Sequence, residues 1–325
     1  MLSHIQYQRI DMPTSKRTRS SLPTPSDSEK SRTSTPVRFL VLSDTHDAEL
    51  PGNLPACDVL LHCGDLTEDG TPDAISKALT SLGRIEAELK LVIAGNHEIS
   101  LDKEYYLGEG GSAEDAAASL ALISSESSSM AIKNGITFLH EGTQTFTLAS
   151  GASFAIYASP FTPTYGSSAF QYPSNEDRYN PALDTPAWAK NVGTEQTRSP
   201  AHVDIVMTHG PAQYILDETS DGRSAGCEHL RRAIAPVKPK LFCFGHVHRR
   251  YGAQRLEFGG KGDVIVPAAK EWVGKSQAKK KGYASLPPGS VERLREGRQT
   301  LAVNAAMEGE KGALENTPWL VELDL

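Results

Sequence analysis

Five short apolar runs in this chain stop in the same way, and that repetition restricts the fold more than any other feature. They are VRFLVLSDTH (Val37 to His46), DVLLHCGD (Asp58 to Asp65), LKLVIAGNHE (Leu89 to Glu98), VDIVMTHGP (Val203 to Pro211) and KLFCFGHVH (Lys240 to His248). Each is aliphatic, aromatic or β-branched text that ends among Gly, Asp, Asn or His. Continuous runs of this kind read as strands buried on both faces, the type found in parallel sheets. Between the second and third runs, DAISKALTSLGRI has apolar residues at helical spacing. Strand, helix, strand is the βαβ pattern of an α/β chain. In such sheets ligands bind in the crevice outside the carboxyl ends of the strands. Side chains far apart in sequence are therefore expected to meet at one edge.

Other stretches fill in the frame. ITFLH, TFTL and SFAIYASP are short and separated by turns, which predicts antiparallel strands. A helix is expected over Glu228 to Ile234, and TLAVNAA and WLVELDL read as closing strands. Residues 108 to 130 begin as a loop and hold a short helix. Residues 259 to 298 carry Lys279, Lys280 and Lys281 amid Gly and Pro and read as a basic insertion, the Lys run in a solvated loop. Residues 1 to 36 are rich in Ser, Thr, Pro and basic residues, with too little apolar surface to offset ordering entropy. A disordered tail followed by one domain from 37 to 325 is the expected organisation.

With 325 residues, 38% of them hydrophobic, the chain can bury a substantial core. The net charge of −7 argues against polymeric nucleic acid as a partner. No stretch approaches the roughly 18 apolar residues of a membrane span. Cys57, Cys63, Cys227 and Cys243 form no CxxC pair, and reduced buried thiols fit a cytoplasmic or nuclear setting.

The strand ends supply Asp44 and His46, then Asp65, then Asn96, His97 and Glu98, then His209, then His246 and His248. A lone histidine in an apolar run, such as His62, is more often a satisfied core residue than a ligand. Five such ends together are hard to obtain by chance, and they predict a metal site. The mixed nitrogen and oxygen donors suit Mn, Fe, Zn or Ni better than Ca or Mg. No strand end carries Cys, which argues against a structural zinc site.

The ordered blocks SDTH, GD, GNHE, THGP and GHVH resemble the calcineurin-like metallophosphoesterases, over roughly Arg38 to Gly252. SDTH, GDLTEDG, the SPF after a strand, and THGP followed by GCEHL are most similar to the metallophosphoesterase-domain-containing, class III phosphodiesterase-like members. The resemblance implies a four-layer sandwich of two mixed β-sheets flanked by helices. It also implies a dinuclear site, manganese being the expected metal, with Asp44, His46 and His248 on one ion. Asp65 would bridge, and Asn96, His209 and His246 would hold the other. A water activated between the metals would attack phosphorus, with His97 as general acid and Glu68 orienting it.

In protein phosphatases of this family an Arg follows that acidic position to grip a phosphate dianion. Here the residue is Asp69, which repels a dianion and favours a small phosphodiester, a cyclic nucleotide for example. Phe161, Tyr165 or Phe170 could supply a stacking wall. The alternatives are a phosphomonoesterase or protein phosphatase, a catalytically weak member that binds protein partners, and a nuclease. The nuclease is disfavoured by net acidity.

Overall fold

The structure, a computed structural model, describes residues 35–195, 197–198, 202–258, 265–271, 274–295, 299–309 and 311–325. All but the last two residues of the expected N-terminal tail, and residues 259–264, 272–273 and 296–298 of the expected basic insertion, lie outside this set. No helix among the described residues is long and apolar enough to cross a membrane.

The first βαβα units build one sheet. Strands β1 (Pro36–Leu42), β2 (Val59–His62) and β3 (Leu89–Val92) are almost wholly buried and pair in parallel. Helix α1 (Pro72–Gly83) connects β2 to β3 and starts where the sequence predicts. Thr71 caps it by accepting the Ala74 N–H at 3.3 Å, and Pro72 occupies the first turn, where its missing N–H costs nothing. Helices α2 (Lys103–Gly108), α3 (Ala113–Ile123) and α4 (Met130–Lys133) then return the chain to β4 (Ile136–Phe138). β4 pairs parallel to β3, with Lys90 opposite Ile136. ITFLH was expected to be antiparallel, and the α3–α4 crossover explains why it is not. Periodicity reports which faces are buried but not the direction of the neighbour.

The second sheet begins with β5 (Gly142–Thr147) and β6 (Ser153–Ser159), an antiparallel pair as expected. β6 also pairs in parallel with β11 (Ile205–Thr208) on its other side. The long connection between β6 and β11 carries two small pairs, β7 (Thr162–Pro163) with β8 (Gln171–Tyr172) and β9 (Glu176–Asp177) with β10 (Lys190–Asn191). Helix α5 (Glu228–Val237) covers the predicted span and leads to β12 (Leu241–Phe244). Beyond it come β13 (Gly252–Phe258), β14 (Ile265–Glu271), α6 (Lys275–Lys281), β15 (Ala284–Ser285), α7 (Pro288–Arg295), β16 (Gln299–Asn304) and β17 (Trp319–Asp324).

The completed sheets run β15-β17-β1-β2-β3-β4 and β14-β13-β16-β12-β11-β6-β5. Each has a parallel centre with antiparallel pairing towards an edge. TLAVNAA does more than close the chain: as β16 it lies inside the second sheet, parallel to β12 and antiparallel to β13. WLVELDL, as β17, returns to pair antiparallel with β1, Val37 opposite Leu323. Lys279, Lys280 and Lys281 form the last turn of α6 rather than a loop.

The two sheets face each other across one apolar layer that includes Phe39, Leu61, Phe154, Met207, Cys243 and Trp319. Phe39 and Phe154 meet edge to face across it at 5.4 Å, a geometry that adds about 0.5–1.5 kcal/mol to the burial itself. Outside the first sheet, α1, α3 and α4 bury Ile75, Leu79, Leu82, Ile123 and Ala131 against Leu40, Leu60 and Val92. Outside the second, α5 lays Leu230, Ala233 and Ile234 on Val206, Phe242 and Phe244. Helix, sheet, sheet, helix is the four-layer sandwich the resemblance implied. The carboxyl ends of β1, β2, β3, β11 and β12 come together at one rim.

Candidate metal centre

All seven predicted ligands meet at that rim. The residues immediately beyond the strands leave extended geometry abruptly, and four of them take left-handed backbone. Asp44 has φ +53°, His46 +42°, Asp65 +52° and His246 +67°. This region is sparsely allowed for residues with a Cβ and costs on the order of 1 kcal/mol each. Strain concentrated on one set of polar residues marks a site whose side chains are aimed for a purpose.

Among the described residues three groups of donors converge: two share Asp65, and a third joins His46, Glu68 and His97. Asp44, His46, Asp65 and His248 bring one ligand atom each within 4.8 Å of one another, and so do Asp65, His209 and His246. In the first group His248 Nε2 lies 3.0 Å from Asp44 Oδ1, and His46 Nε2 lies 3.8 Å from Asp65 Oδ2. In the second, His209 Nε2 lies 3.2 Å from the same Asp65 Oδ2 and 2.9 Å from Asn96 Oδ1. Donors bound about 2.0–2.2 Å from a common ion sit about 3 Å from each other, which is the spacing seen here. Both ring nitrogens of His46 are buried and make no hydrogen bond among the described residues; Nδ1 has the Glu68 carboxylate nearby as a charge contact only, and Nε2 faces the other donors. An imidazole left so is unstable unless something else fills the role, and a metal ion fits that need. The donor set therefore suits two ions with Asp65 between them.

Main-chain groups fix these side chains. Asp44 accepts the His246 N–H at 3.0 Å, and Asp65 Oδ1 accepts the His97 N–H at 2.9 Å. His209 Nδ1 donates to the Cys63 carbonyl at 2.9 Å, which leaves Nε2 turned to the donors. Close approach requires glycine at two places. A Cβ on Gly245 would stand 1.9 Å from Asp44 Oδ2, and one on Gly95 2.3 Å from Asp65 Oδ1.

Electrostatics follow from the crowding. Burial works against charge on Asp65, but His209, His97 and His46 outweigh it and hold the carboxyl far below the usual range. Burial opposes the cation on His209 too, and the Asp65 carboxylate outweighs it, lifting the imidazole to about 9. His246 is pushed down to about 4 by burial and by neighbouring His209. His62 is also held near 4 by burial. Its Nδ1 accepts the Gly64 N–H at 3.3 Å and its Nε2 meets Thr45 Oγ1 at 3.0 Å. It is the satisfied core histidine expected of it.

His97 stands beside the shared carboxylate, its ring 4.6 Å from that of His46, edge to face. Burial opposes its charge, and Asp65 with the Glu68 main-chain carbonyl raises it above the ordinary histidine value. The contact expected between His97 and the Glu68 carboxylate is made differently. His97 Nδ1 donates to the Glu68 carbonyl at 2.7 Å, while the Glu68 carboxylate reaches His46 Nδ1 at 3.2 Å.

Two carboxylates have roles that the sequence did not assign, Glu98 at the end of the third run and Glu308. Glu98 is fully buried and accepts four hydrogen bonds: from the N–H groups of Asp65, Gly95 and Thr67 at 3.0, 2.6 and 3.0 Å, and from the Thr67 hydroxyl at 3.0 Å. It staples the second strand end to the third. Burial and the Asp65 charge push it up to about 7, although so many donors favour the carboxylate. Glu308, from the segment after β16, places Oε1 3.5 Å from His248 Nδ1. Glu98, the last residue of GNHE, was visible as a strand-end carboxylate, and nothing in the sequence pointed to Glu308.

Beside the centre, a cleft of about 560 Å³ is lined by Tyr165, Thr219, Ser220, Ala225, Arg249 and His246, among others. Of the three aromatics weighed as a stacking wall, only Tyr165 lines it, 65% exposed. Phe161 is taken up beneath the Arg178 guanidinium at 3.6 Å and against Phe170 at 5.6 Å. A second groove, along α1, is lined by Asp47, Glu49, Asp69 and Asp73 together with Lys77 and Arg84.

Comparison with known proteins agrees with this geometry. The family model described as calcineurin-like phosphoesterase matches residues 37–250. Probable rhamnogalacturonate lyase C of Emericella nidulans is 33% identical over 227 residues, which is 69% of this chain and 18% of that protein. Metallophosphoesterase domain-containing protein 1 of Homo sapiens is 31% identical over 224 residues, 66% of this chain and 62% of that protein. UPF0046 protein T07D4.2 of Caenorhabditis elegans is 31% identical over 223 residues, 66% of this chain and 52% of that protein. The chain spans less than two thirds of the length of each of these relatives.

Proposed function

Because the chain belongs to the calcineurin-like phosphoesterase family, we propose that it is a metal-dependent phosphoric ester hydrolase acting on small phosphodiesters. The observation that carries this reading is the sharing of Asp65 between two donor groups. Asp44, His46, Asp65 and His248 would hold one divalent ion, with Asp65, Asn96, His209 and His246 holding the second; manganese is the metal proposed. When bound, such a pair supplies Lewis-acid polarisation of the phosphoryl group and an acidified water.

The chain's own residues account for the rest. His97 keeps Nδ1–H on the Glu68 carbonyl, so Nε2 is the nitrogen that delivers a proton to the leaving oxygen. Burial opposes charge on this ring, but Asp65 and the Glu68 carbonyl shift it towards the protonated form. Asp65 accepts the N–H of the same residue and so fixes the acid relative to the metal donors.

Charge supports a diester. Asp69 stands where protein phosphatases of the family carry an Arg, and a carboxylate there repels a dianion more than a monoanion. The cleft beside His246 is of a size for a nucleotide-sized ester group, and Tyr165 offers it a ring face. Cyclic nucleotides are the first substrates to screen.

The test is hydrolysis of bis-p-nitrophenyl phosphate against p-nitrophenyl phosphate by metal-stripped protein, with and without Mn²⁺, and by Asp65→Ala. Metal-dependent turnover that prefers the diester and is lost in the variant is expected. Preference for the monoester would make this a phosphomonoesterase. No turnover by folded, metal-loaded protein would overturn the hydrolase reading.

A further inference from the structure

The two donor groups that share Asp65 differ in what stands behind their histidines. His46 faces the centre with Nε2 and turns Nδ1 to the Glu68 carboxylate, 3.2 Å away. His248 faces Asp44 with Nε2 and turns Nδ1 to the Glu308 carboxylate, 3.5 Å away. In the other group, His209 turns Nδ1 to a neutral main-chain carbonyl, that of Cys63. The two carboxylates are charge contacts at 3.2 and 3.5 Å, and His46 Nδ1 makes no hydrogen bond, but an anion this close to Nδ1 favours positive charge on the ring and makes Nε2 a stronger donor than a neutral acceptor does.

We propose that Glu68 and Glu308 are positioning residues that make the Asp44, His46, His248 side of the pair the tighter metal position, filled first and emptied last. This rests on the metal-centre reading above. Glu308 is the stronger of the two. Its side chain is 17% exposed, whereas that of Glu68 is 68% exposed and screened by solvent. Glu308 is also held by its backbone. Its N–H donates to the Asp44 carbonyl at 3.1 Å, and the Met307 N–H donates to Ser43 at 2.9 Å. The segment that carries the carboxylate is thus bonded to the loop that carries the ligand. Glu308 lies outside the stretch matched by the family model, which ends at residue 250.

The experiment isolates each position. His209→Ala leaves the first position alone, and His248→Ala leaves the second. Mn²⁺ affinity is measured by chelator competition in each background with and without Glu308→Gln, and Co²⁺ absorption reports the first position's ligand field. In the His209→Ala background Glu308→Gln is expected to weaken binding about 10- to 100-fold, with Glu308→Asp recovering part of the loss. In the His248→Ala background it is expected to change nothing. Glu68→Gln, a surface change that cannot plausibly unfold the protein, should weaken the first position by less than about tenfold. Unchanged affinity in the His209→Ala background, or equal loss in both, overturns the proposal. If the unmodified protein binds no ion, the metal-centre reading falls and takes this one with it.

Discussion

Glu98 holds Asp65 by its backbone: Glu98 Oε2 accepts the Asp65 N–H at 3.0 Å, beneath a carboxylate that two donor groups share. Replacing Glu98 by Gln turns one acceptor into a donor facing N–H groups. A buried group left unsatisfied costs about 1–3 kcal/mol, and here the loss falls on the turn that sets Asp65. Glu98→Gln should lower the melting temperature of the metal-free protein and weaken both metal positions together. A variant that melts normally and binds metal normally would show the staple to be dispensable.

His97 and Glu68 should separate kinetically. With metal saturating, His97→Ala is expected to lower kcat for the diester by about 10²–10⁴-fold, the usual worth of a general acid. Glu68→Gln removes a carboxylate but keeps the carbonyl that orients His97. Its kcat should fall far less, with the deficit appearing in the metal concentration needed. Equal losses of kcat would place the Glu68 carboxylate on His97 after all.

Gly245→Ala tests the closeness of the first and last ligand strands. The added methyl would collide with Asp44 Oδ2, on a carboxylate fixed by the His246 N–H, and with the Ser43 side chain. Loss of the first metal position with retained circular dichroism is expected, since the clash is at the rim and not in the core. Tight binding of two ions by this variant would contradict the geometry.

The metal-free protein should lose stability as it is made alkaline. His209 is raised to about 9 in the fold, above its ordinary 6.5, by burial outweighed by Asp65. Its contribution is complete below about 6.5 and is lost as pH climbs through about 9. Chemical unfolding followed from pH 6.5 to 9.5 should show the decline, and Asp65→Asn should flatten it. A flat profile in the unmodified protein would mean that the pair is not an ion pair.

The rim was legible because buried parallel strands have no polar alternation, so each run's first Asp, Asn or His announces a strand's end. The order of the strands was not. ITFLH has the same short apolar text whether it runs with or against β3, and only the α3–α4 crossover decides. Glu68 came from the family resemblance, which does not say which of its oxygens, side chain or main chain, turns to His97. Glu308 stands 60 residues beyond the last ligand in no motif at all. It reaches His248 because β16 inserts beside β12, a pairing that no local pattern encodes.

That insertion, with β17 closing on β1, gives the molecule a timetable. β1 has its antiparallel partner far along the chain in β17, Val37 opposite Leu323. During synthesis every ligand through His248 is made while β1 still lacks that neighbour and His248 lacks its carboxylate. A nascent chain therefore holds the donors without the frame that sets their spacing. Any metal loading is expected to wait until β17 has been made and has closed on β1.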